Sequence, residues 1–368
     1  MRVLIAGAGP AGLYLAYLLR RRHPGWRLRI VEQNPRDSTF GFGVVFSERA
    51  LEFLRAADPE TCERIAPAME AWTDITVVHR GTPVVIDGIG FSAIGRLKFL
   101  QLLRAQLEAA GVSPEYGFLL GEEQNLQEFD LVVAADGANS TIRKTADFGT
   151  TIAPLTNKFA WFGTTRVFDT LTQTFVQNEA GSFNAHHYRH APRMSTFVFE
   201  CDAVTWQRAG FERMAEAETL AYCERVFADA LQGHRLVSNK SIWRNFPKVR
   251  NARWRMGNKV LIGDAQRTAH FSIGSGTRLA MEDAIALARC LAEFKNEIPE
   301  ALAAFEAQRR PVVDKLVAAA DASADWYEHF PEHMRLAPRD FAWSYIQRSG
   351  RVDPEKLRGI APKFVAAA

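Results

Sequence analysis

Three short stretches carry residues whose types and spacing could do chemistry. Gly7, Gly9 and Gly12 form G-x-G-x-x-G between an apolar run at 2–6 and the helical pattern LYLAYLLRRR. Glycines at this spacing permit a tight turn and let backbone N–H groups approach a pyrophosphate at a helix N-terminus. Glu32 lies 20 residues beyond Gly12, at the end of the next apolar run, where a carboxylate can accept hydrogen bonds from a ribose. In this strand–turn–helix context the pattern predicts dinucleotide binding; without the context it would be a structural turn. The second stretch, DLVVAADGANSTIR (130–143), ends an apolar strand at Asp136-Gly137 and leads through a Ser/Thr cap to Arg143. Alone it reads equally as an acidic turn and a helix cap. The third, GDAQRTAHFSIGSG (263–276), sets Asp264 after a buried strand and ahead of a glycine-rich helix opening. Free N–H groups and the positive dipole end at 274–277 would there face an anionic ring or a phosphate.

The elements that must position these stretches follow from periodicity. Residues 2–6, the helix after them and 28–33 make a β-α-β unit of the expected length. Helical stretches are predicted to about Trp72, paired strands at 74–79 and 83–87, and a helix from Arg96 to Ala110 with Leu97, Leu100, Leu103 and Leu107 on one face. Between about 156 and 200 the sequence turns aromatic and β-rich, with a last strand at 243–249. The strand 259–265, a helix from about Gly276 to Phe294 and helices from Pro299 onward complete the chain. The expected fold is α/β: a Rossmann-like β-α-β unit assembled from separated segments (1–72, 95–150, 256–298), an inserted, mostly antiparallel β-sheet unit (73–94, 151–255), and a helical C-terminal region (299–368).

Composition narrows the classes. Apolar residues make up 47% and charged residues 24% of 368, with a net charge of +3; this is ordinary globular chemistry and does not suggest nucleic-acid binding. Neither a signal peptide nor a membrane-length apolar run is visible. Cys62, Cys201, Cys223 and Cys290 are scattered, as expected of buried thiols in a reducing compartment, so a cytoplasmic location is expected. The nine histidines show no metal-ligand spacing, and no metal is expected. His186, His187 and His190 read as strand residues lining or flanking a pocket.

Taken together, GAGPAG with Glu32, Asp136-Gly137, Gly263-Asp264, Gly274 and Gly276, Glu282-Asp283-Ala284 and FEAQRRP (305–311) resemble the single-component FAD-dependent aromatic hydroxylases, whose fold is that of para-hydroxybenzoate hydroxylase; the last matches the family's Y-E-x-x-R-x-P. The resemblance spans nearly the whole chain. TFGFGVVFSERALEFLRAADPE (39–60), GFSAIGRLKFLQLL (90–103) and HFSIGSGTRLAMEDA (270–284) are similar to the branch that hydroxylates aryl-CoA thioesters, the salicylyl-CoA 5-hydroxylases and the hydroxylase half of the 2-aminobenzoyl-CoA enzymes. A violacein-pathway tryptophan hydroxylase shares HFSIG.

The resemblance implies a glutathione-reductase-type FAD domain, FAD as cofactor, NADH or NADPH as co-substrate, and O2 adding at the flavin C4a to give the hydroperoxide that hydroxylates an electron-rich ring. The substrate would be a small aromatic compound, a CoA thioester in this branch. Alternatives are a free indole or tryptophan-derived ring, and a non-hydroxylating flavin oxidoreductase. Gly7, Gly9, Ala11 and Gly12 would hold the pyrophosphate, and Glu32, with Gln33 beside it, the adenosine ribose. Arg96 would reach the pyrophosphate or ribityl region. Asp136 would give structural support and a nicotinamide-side contact, and Asp264 would bind a ribityl hydroxyl. The backbone at Gly274, Gly276 and Thr277 would face the flavin. His270 would manage a proton or position substrate, against the alternative of a packed histidine bonded to backbone. Phe42, Trp161, His186 and Phe271 would line the substrate pocket. The cations of KSIWRNFPKVRNARWR (240–255) could hold CoA phosphates or be a solvated surface. Gln266-Arg267, and Arg278 where many members have Asn, depart from the family pattern.

Overall fold

The structure, a computed structural model, describes residues 1–121, 125–295 and 297–366, with side chains for all of these except residues 48 and 49. Its first unit is a strand–helix–strand: β1 (Arg2–Ala6), α1 (Pro10–Arg22) and β2 (Arg27–Glu32). β1 lies in parallel between β2 and the strand Leu131–Ala134, which pairs in parallel with Lys259–Leu261. These central strands read as continuous apolar runs because both faces of the sheet are covered; Val3, Leu4, Ile5 and all of 131–134 are fully buried. Helix α1 packs on the helix Gly276–Glu293, so its residues 11–19 are all buried. One six-stranded sheet is thus assembled from segments far apart in sequence.

The larger sheet has eight strands. Its centre is the antiparallel series Thr150–Thr164, Met194–Cys201, Gly181–Ala191 and Leu171–Asn178. The hairpin Ile75–His79 and Thr82–Ile86 joins its edge, with Ile75–His79 running parallel to Leu171–Asn178. One face packs Phe162, Phe183, Phe197 and Phe199 against Phe211 and Phe227. The C-terminal helices, the longest being Ile298–Glu328, cover the hairpin end of the other face through Phe175, Trp326, Tyr327 and Phe341. Among the described residues no helix is long and apolar enough to cross a membrane.

Two local expectations are corrected. Residues 70–72 are a strand pairing with Phe91–Gly95, which also pairs with Gly43–Ser47 in a third sheet of three strands; a three-residue segment shows no period, so its pairing decides its state. His187 does not line the pocket. Strand alternation turns it to the opposite face from His186 and His190, where it stacks on Phe197 at 5.1 Å and bonds Thr174 Oγ1 at 2.8 Å.

The buried histidines make the fold acid-sensitive. Desolvation lowers His186 and His187 to about 3, and His190 and His270 to about 4, from the ordinary 6.5. The unfolded chain takes up these protons near 6.5 while the folded chain refuses them until pH 3–4. Stability is therefore whole above pH 6.5 and falls as pH drops below it, by up to about 1.4 kcal/mol per pH unit per histidine. Denaturant titrations at pH 7.5, 6 and 5 should show this loss, and His187→Asn should flatten it by about one proton. A pH-independent midpoint would contradict the buried-neutral assignment.

Candidate active site

The GAGPAG turn is shaped by backbone proximity. Gly7 has φ +99°, and a Cβ there would run into the Ala135 carbonyl oxygen; a Cβ on Gly12 would run into the carbonyl of Gly7. Gly9 faces open space and caps α1 without a side-chain bond. Pro10 has no N–H, and the first turn leaves the N–H groups of Ala11 and Gly12 without a helical acceptor. The result is an uncapped, positively polarised helix end on an open side, the donor set a pyrophosphate requires. Glu32 closes the loop: Oε2 accepts from Ala8 N (2.9 Å), and Oε1 from Asn34 N (2.9 Å) and Nδ2 (2.7 Å). Gln33 beside it is exposed.

The three sequence stretches meet here. Gly7 lies against Ala135-Asp136, and Ala11 Cβ stands 3.4 Å from the position a Gly263 Cβ would take. Ala11 thus packs the first turn onto the third stretch. Asp136 Oδ2 accepts from Thr141 N (2.7 Å) and Ile142 N (3.4 Å), so it caps the following helical turn. Arg143 reaches from that turn to the carbonyls of Ala265 (2.9 Å) and Ala138 (2.5 Å).

Asp264 follows a glycine at φ +60°. It is exposed by surface area yet deep within the protein, the signature of a side chain lining an inner cleft. Desolvation raises its pKa, opposed by Arg267 and Arg96. Arg96 opens the helix Arg96–Ala109, its N–H held by Phe42 O at 2.7 Å. Its guanidinium is likewise partly accessible but enclosed; desolvation lowers its pKa while Asp264 and Tyr188 oppose the shift. Beyond it, Gly274 adopts φ +61° with its N–H bonded to Phe271 O (3.0 Å). Gly274 therefore supplies the turn and no free amide, a correction to its expected place among the donors. The helix Gly276–Glu293 has no side-chain cap, so Gly276 and Thr277 keep unpaired N–H groups.

Gln266 and Arg267 are explained by burial. Arg267 Nη1 reaches Asp283 Oδ2 (2.6 Å), Gln266 Oε1 (2.5 Å) and Gly263 O (3.1 Å). Arg309, of the FEAQRRP stretch, bridges Asp283 Oδ1 and Glu282 Oε2, each at 3.0 Å, and Arg278 bonds Glu282 Oε1 at 2.6 Å. This charge network anchors the turn that carries Asp264.

One face of the large sheet carries an aromatic and polar cluster. Trp161, Val198, His186 and Gln173 stand in one row across four strands; Phe159, Glu200, Asn184 and Phe175 form the next. Phe271 closes on it, 5.0 Å from the Phe159 ring, 5.8 Å from Trp161 and 5.3 Å from His186. Phe42 fills the space that Gly163 leaves on the same face. Beneath lie polar groups. Gln173 Nε2 bonds His186 Nδ1 at 2.9 Å, and His186 Nε2 is 3.5 Å from Glu200 Oε2. Burial raises the Glu200 pKa, with His270 opposing the shift. His270 is 3% exposed and bonds Ser272 Oγ through Nδ1 at 2.8 Å. The Ser272 N–H also points at Nδ1 (3.4 Å), which makes Nδ1 an acceptor and assigns the ring proton to Nε2. With a pKa near 4 this imidazole is neutral at pH 7.

The structure thus brings the glycine turn against Asp136 and Gly263, and Arg96 near Asp264, while Phe42 and Phe271 pack from outside the sheet onto the face that carries Trp161 and His186. Phe159, Tyr188, Glu200 and Phe246, whose ring lies 4.9 Å from that of His270, give no sign of this in the sequence motifs. Strand alternation from His186 would have found Tyr188 on the same face; Glu200 gave no signal, since its place depends on strand pairing. Surface hollows of about 380 and 360 Å³ share no residue with the cleft. Among the described residues no group of three His, Cys, Asp or Glu side chains could hold a metal.

Glycine turns too tight for a Cβ, uncapped helix ends and an enclosed carboxylate–guanidinium pair fit FAD, and with the aromatic sheet face they define the class of flavin-dependent aromatic monooxygenases. The chain belongs to the FAD binding domain family, which matches residues 1–63 and 98–320. It is 42% identical to a salicyloyl-CoA 5-hydroxylase of Streptomyces sp. over 361 residues, covering 95% of this chain and 70% of that one. It is 35% identical over 334 residues to a 3-hydroxy-4-methyl-anthranilyl-[aryl-carrier protein] 5-monooxygenase of Streptosporangium sibiricum, covering 90% of each. The fold matches tetrameric 2-methyl-3-hydroxypyridine-5-carboxylic acid oxygenase with a TM-score of 0.72 at 18% identity, over 98% of this chain and 95% of that one. The protein is an FAD-dependent aromatic hydroxylase.

The buried charges generate a stability prediction. Arg309→Met leaves Glu282 and Asp283 one cation short in a site without water access, which should cost about 3–5 kcal/mol. Chemical denaturation of the purified protein measures this; a loss under 1 kcal/mol would show that the network does not anchor the turn.

Proposed function

We propose that this protein uses NADH or NADPH and O2 to hydroxylate the ring of an aromatic acyl-CoA thioester. The observation that carries the reading is that the aromatic sheet face and Asp264 are linked through one segment: Phe42 packs over Gly163 on the face of Trp161, and its carbonyl holds the N–H of Arg96, whose guanidinium interacts with Asp264. Similarity to a salicyloyl-CoA hydroxylase supports the thioester.

In this reading Gly7, Gly9 and Gly12 admit the FAD pyrophosphate to the start of α1, and Glu32 accepts from the adenosine ribose. Arg96 balances phosphate charge, and Asp264 accepts from a ribityl hydroxyl. The N–H groups of Gly276 and Thr277 face the flavin ring. Bound FAD supplies electron transfer from the nicotinamide and activation of oxygen. The chain's own residues present the aromatic face built by Trp161, Phe159, His186 and Phe271 for the substrate ring to pack against, and keep water away from it. Asp136 supports the turn as a cap. His270, neutral with its proton on Nε2, positions the ring as a hydrogen-bond donor; its low pKa makes it a poor acid–base group near pH 7.

The test is flavin-coupled oxidation of NADH and NADPH by the purified holoprotein with salicylyl-CoA, 2-aminobenzoyl-CoA, free salicylate and tryptophan. The thioesters should accelerate oxidation and give hydroxylated product. Equal action on the free acids removes the thioester assignment, and no acceleration by any aromatic compound removes the substrate reading altogether. Asp264→Ala should weaken FAD binding at least tenfold, read by flavin fluorescence, because a charge-assisted hydrogen bond is lost. His270→Ala should keep FAD content while lowering hydroxylated product per NAD(P)H consumed. Unchanged coupling would leave His270 a packing residue.

A further inference from the structure

The fold sorts the six cations of residues 240–255 into two groups. Lys248 and Arg250 share Asp321, at 3.4 and 2.7 Å. Arg253 pairs with Asp147 at 2.5 Å and Arg255 with Glu306 at 3.5 Å. Lys240 and Arg244 have no carboxylate partner among the described residues. Both instead stand over one ring, Phe40, at 5.9 and 5.7 Å from its centroid. Phe40 is itself 41% exposed. Two unneutralised cations flanking an exposed aromatic ring match a ligand that carries phosphates beside a planar base.

This cluster is built into the rim of the cleft. Asn239 Nδ2 donates to Thr39 O (3.1 Å) and Gly41 O (3.2 Å), tying the Lys240 turn to the loop that bears Phe40. Ser241 Oγ donates to the carbonyl of Trp161. Lys240, between these two anchors, has φ +54°, a left-handed conformation that is unfavourable for a lysine and persists because both neighbours are fixed. Arg244 stands opposite Phe159 in the sheet ladder, and Phe159 touches Phe271. A chain of neighbours therefore links the Phe271–Trp161 cluster, through Phe159, to Arg244, Phe40 and Lys240 at the surface.

We propose that Phe40, Lys240 and Arg244 form the subsite for the phosphorylated nucleotide end of an aryl-CoA thioester whose ring packs against the Phe271–Trp161 cluster. The inference rests on the thioester reading above. The cations meet the phosphates, the Phe40 face receives the adenine, and the uncharged pantetheine arm spans the distance to the Phe271–Trp161 cluster.

The experiment compares an aryl-CoA with the corresponding aryl-pantetheine thioester, which has the same ring and arm but no nucleotide. In the holoenzyme the CoA thioester should have a KM about tenfold lower, and rising salt should erode that advantage. Lys240→Glu/Arg244→Glu should abolish the difference with FAD content unchanged, and should weaken binding of CoA alone in equilibrium dialysis. If the reversal disturbs folding, Lys240→Asn with Arg244→Gln keeps a residue tolerant of the left-handed turn and should reduce the difference. Equal KM for both thioesters in the wild type overturns the subsite and leaves the thioester reading standing. Hydroxylation of the free acid with no preference for either thioester overturns both.

Discussion

The carboxylate of Asp283 is the constraint on which the site depends. It is fully buried and receives Arg267, Arg309 and the N–H of Gly263. Burying a carboxylate without partners carries a large desolvation cost. Two guanidiniums and a backbone donor satisfy it, and in doing so fix three pieces of chain at one point: the turn at 263–267, the helix after Gly276 and the helix Ile298–Glu328. Asp264 projects into the cleft because its neighbours on both sides are held.

The long C-terminal helix carries this order to the substrate side. Arg309 sits in the charge network, and Ser323 bonds Ser272, the partner of His270 (2.7 Å). Tyr327 stacks on His186 at 4.9 Å and donates to Gln173, and Glu328 receives the N–H groups of Thr156 and Asn157 at 2.8 Å. Flavin-side turn and aromatic sheet are therefore braced by the same rod. The two sides use different physics. The flavin side offers backbone N–H groups and glycine surfaces, which suit phosphate and hydroxyl oxygens. The sheet side offers ring faces over a buried polar layer, which suits an aromatic substrate that must be oriented and kept dry.

Much of the flavin side was legible in the sequence because it consists of local backbone demands. A φ of +99° at Gly7 and the contact of Gly12 with Gly7 admit no side chain, so the glycines show in any reading of the chain. Burial on both faces writes the central strands as apolar runs, and the ordered recurrence of acidic turns at 136 and 264 marked the segments that share a sheet. The substrate side was less legible. Phe42, Trp161, His186 and Phe271 could be named from resemblance, but Glu200 and Phe159 enter only through cross-strand register. The strand at 70–72 was hidden for the same reason.

By itself, the sequence determined the β-α-β unit, the glycine turn and the residue types able to hold a dinucleotide, since each is set within a few residues by steric limits and periodicity. Only the tertiary structure decided charge states and partners. It made His270 neutral by burying it, turned His187 away from His186 through the pleat, and paired Gln266-Arg267 with Asp283 across the core. It also left Lys240 and Arg244 as the cations of their run without a carboxylate partner among the described residues. Desolvation and electrostatic pairing depend on what lies across a contact, and those neighbours are brought together from opposite ends of the chain only when it folds.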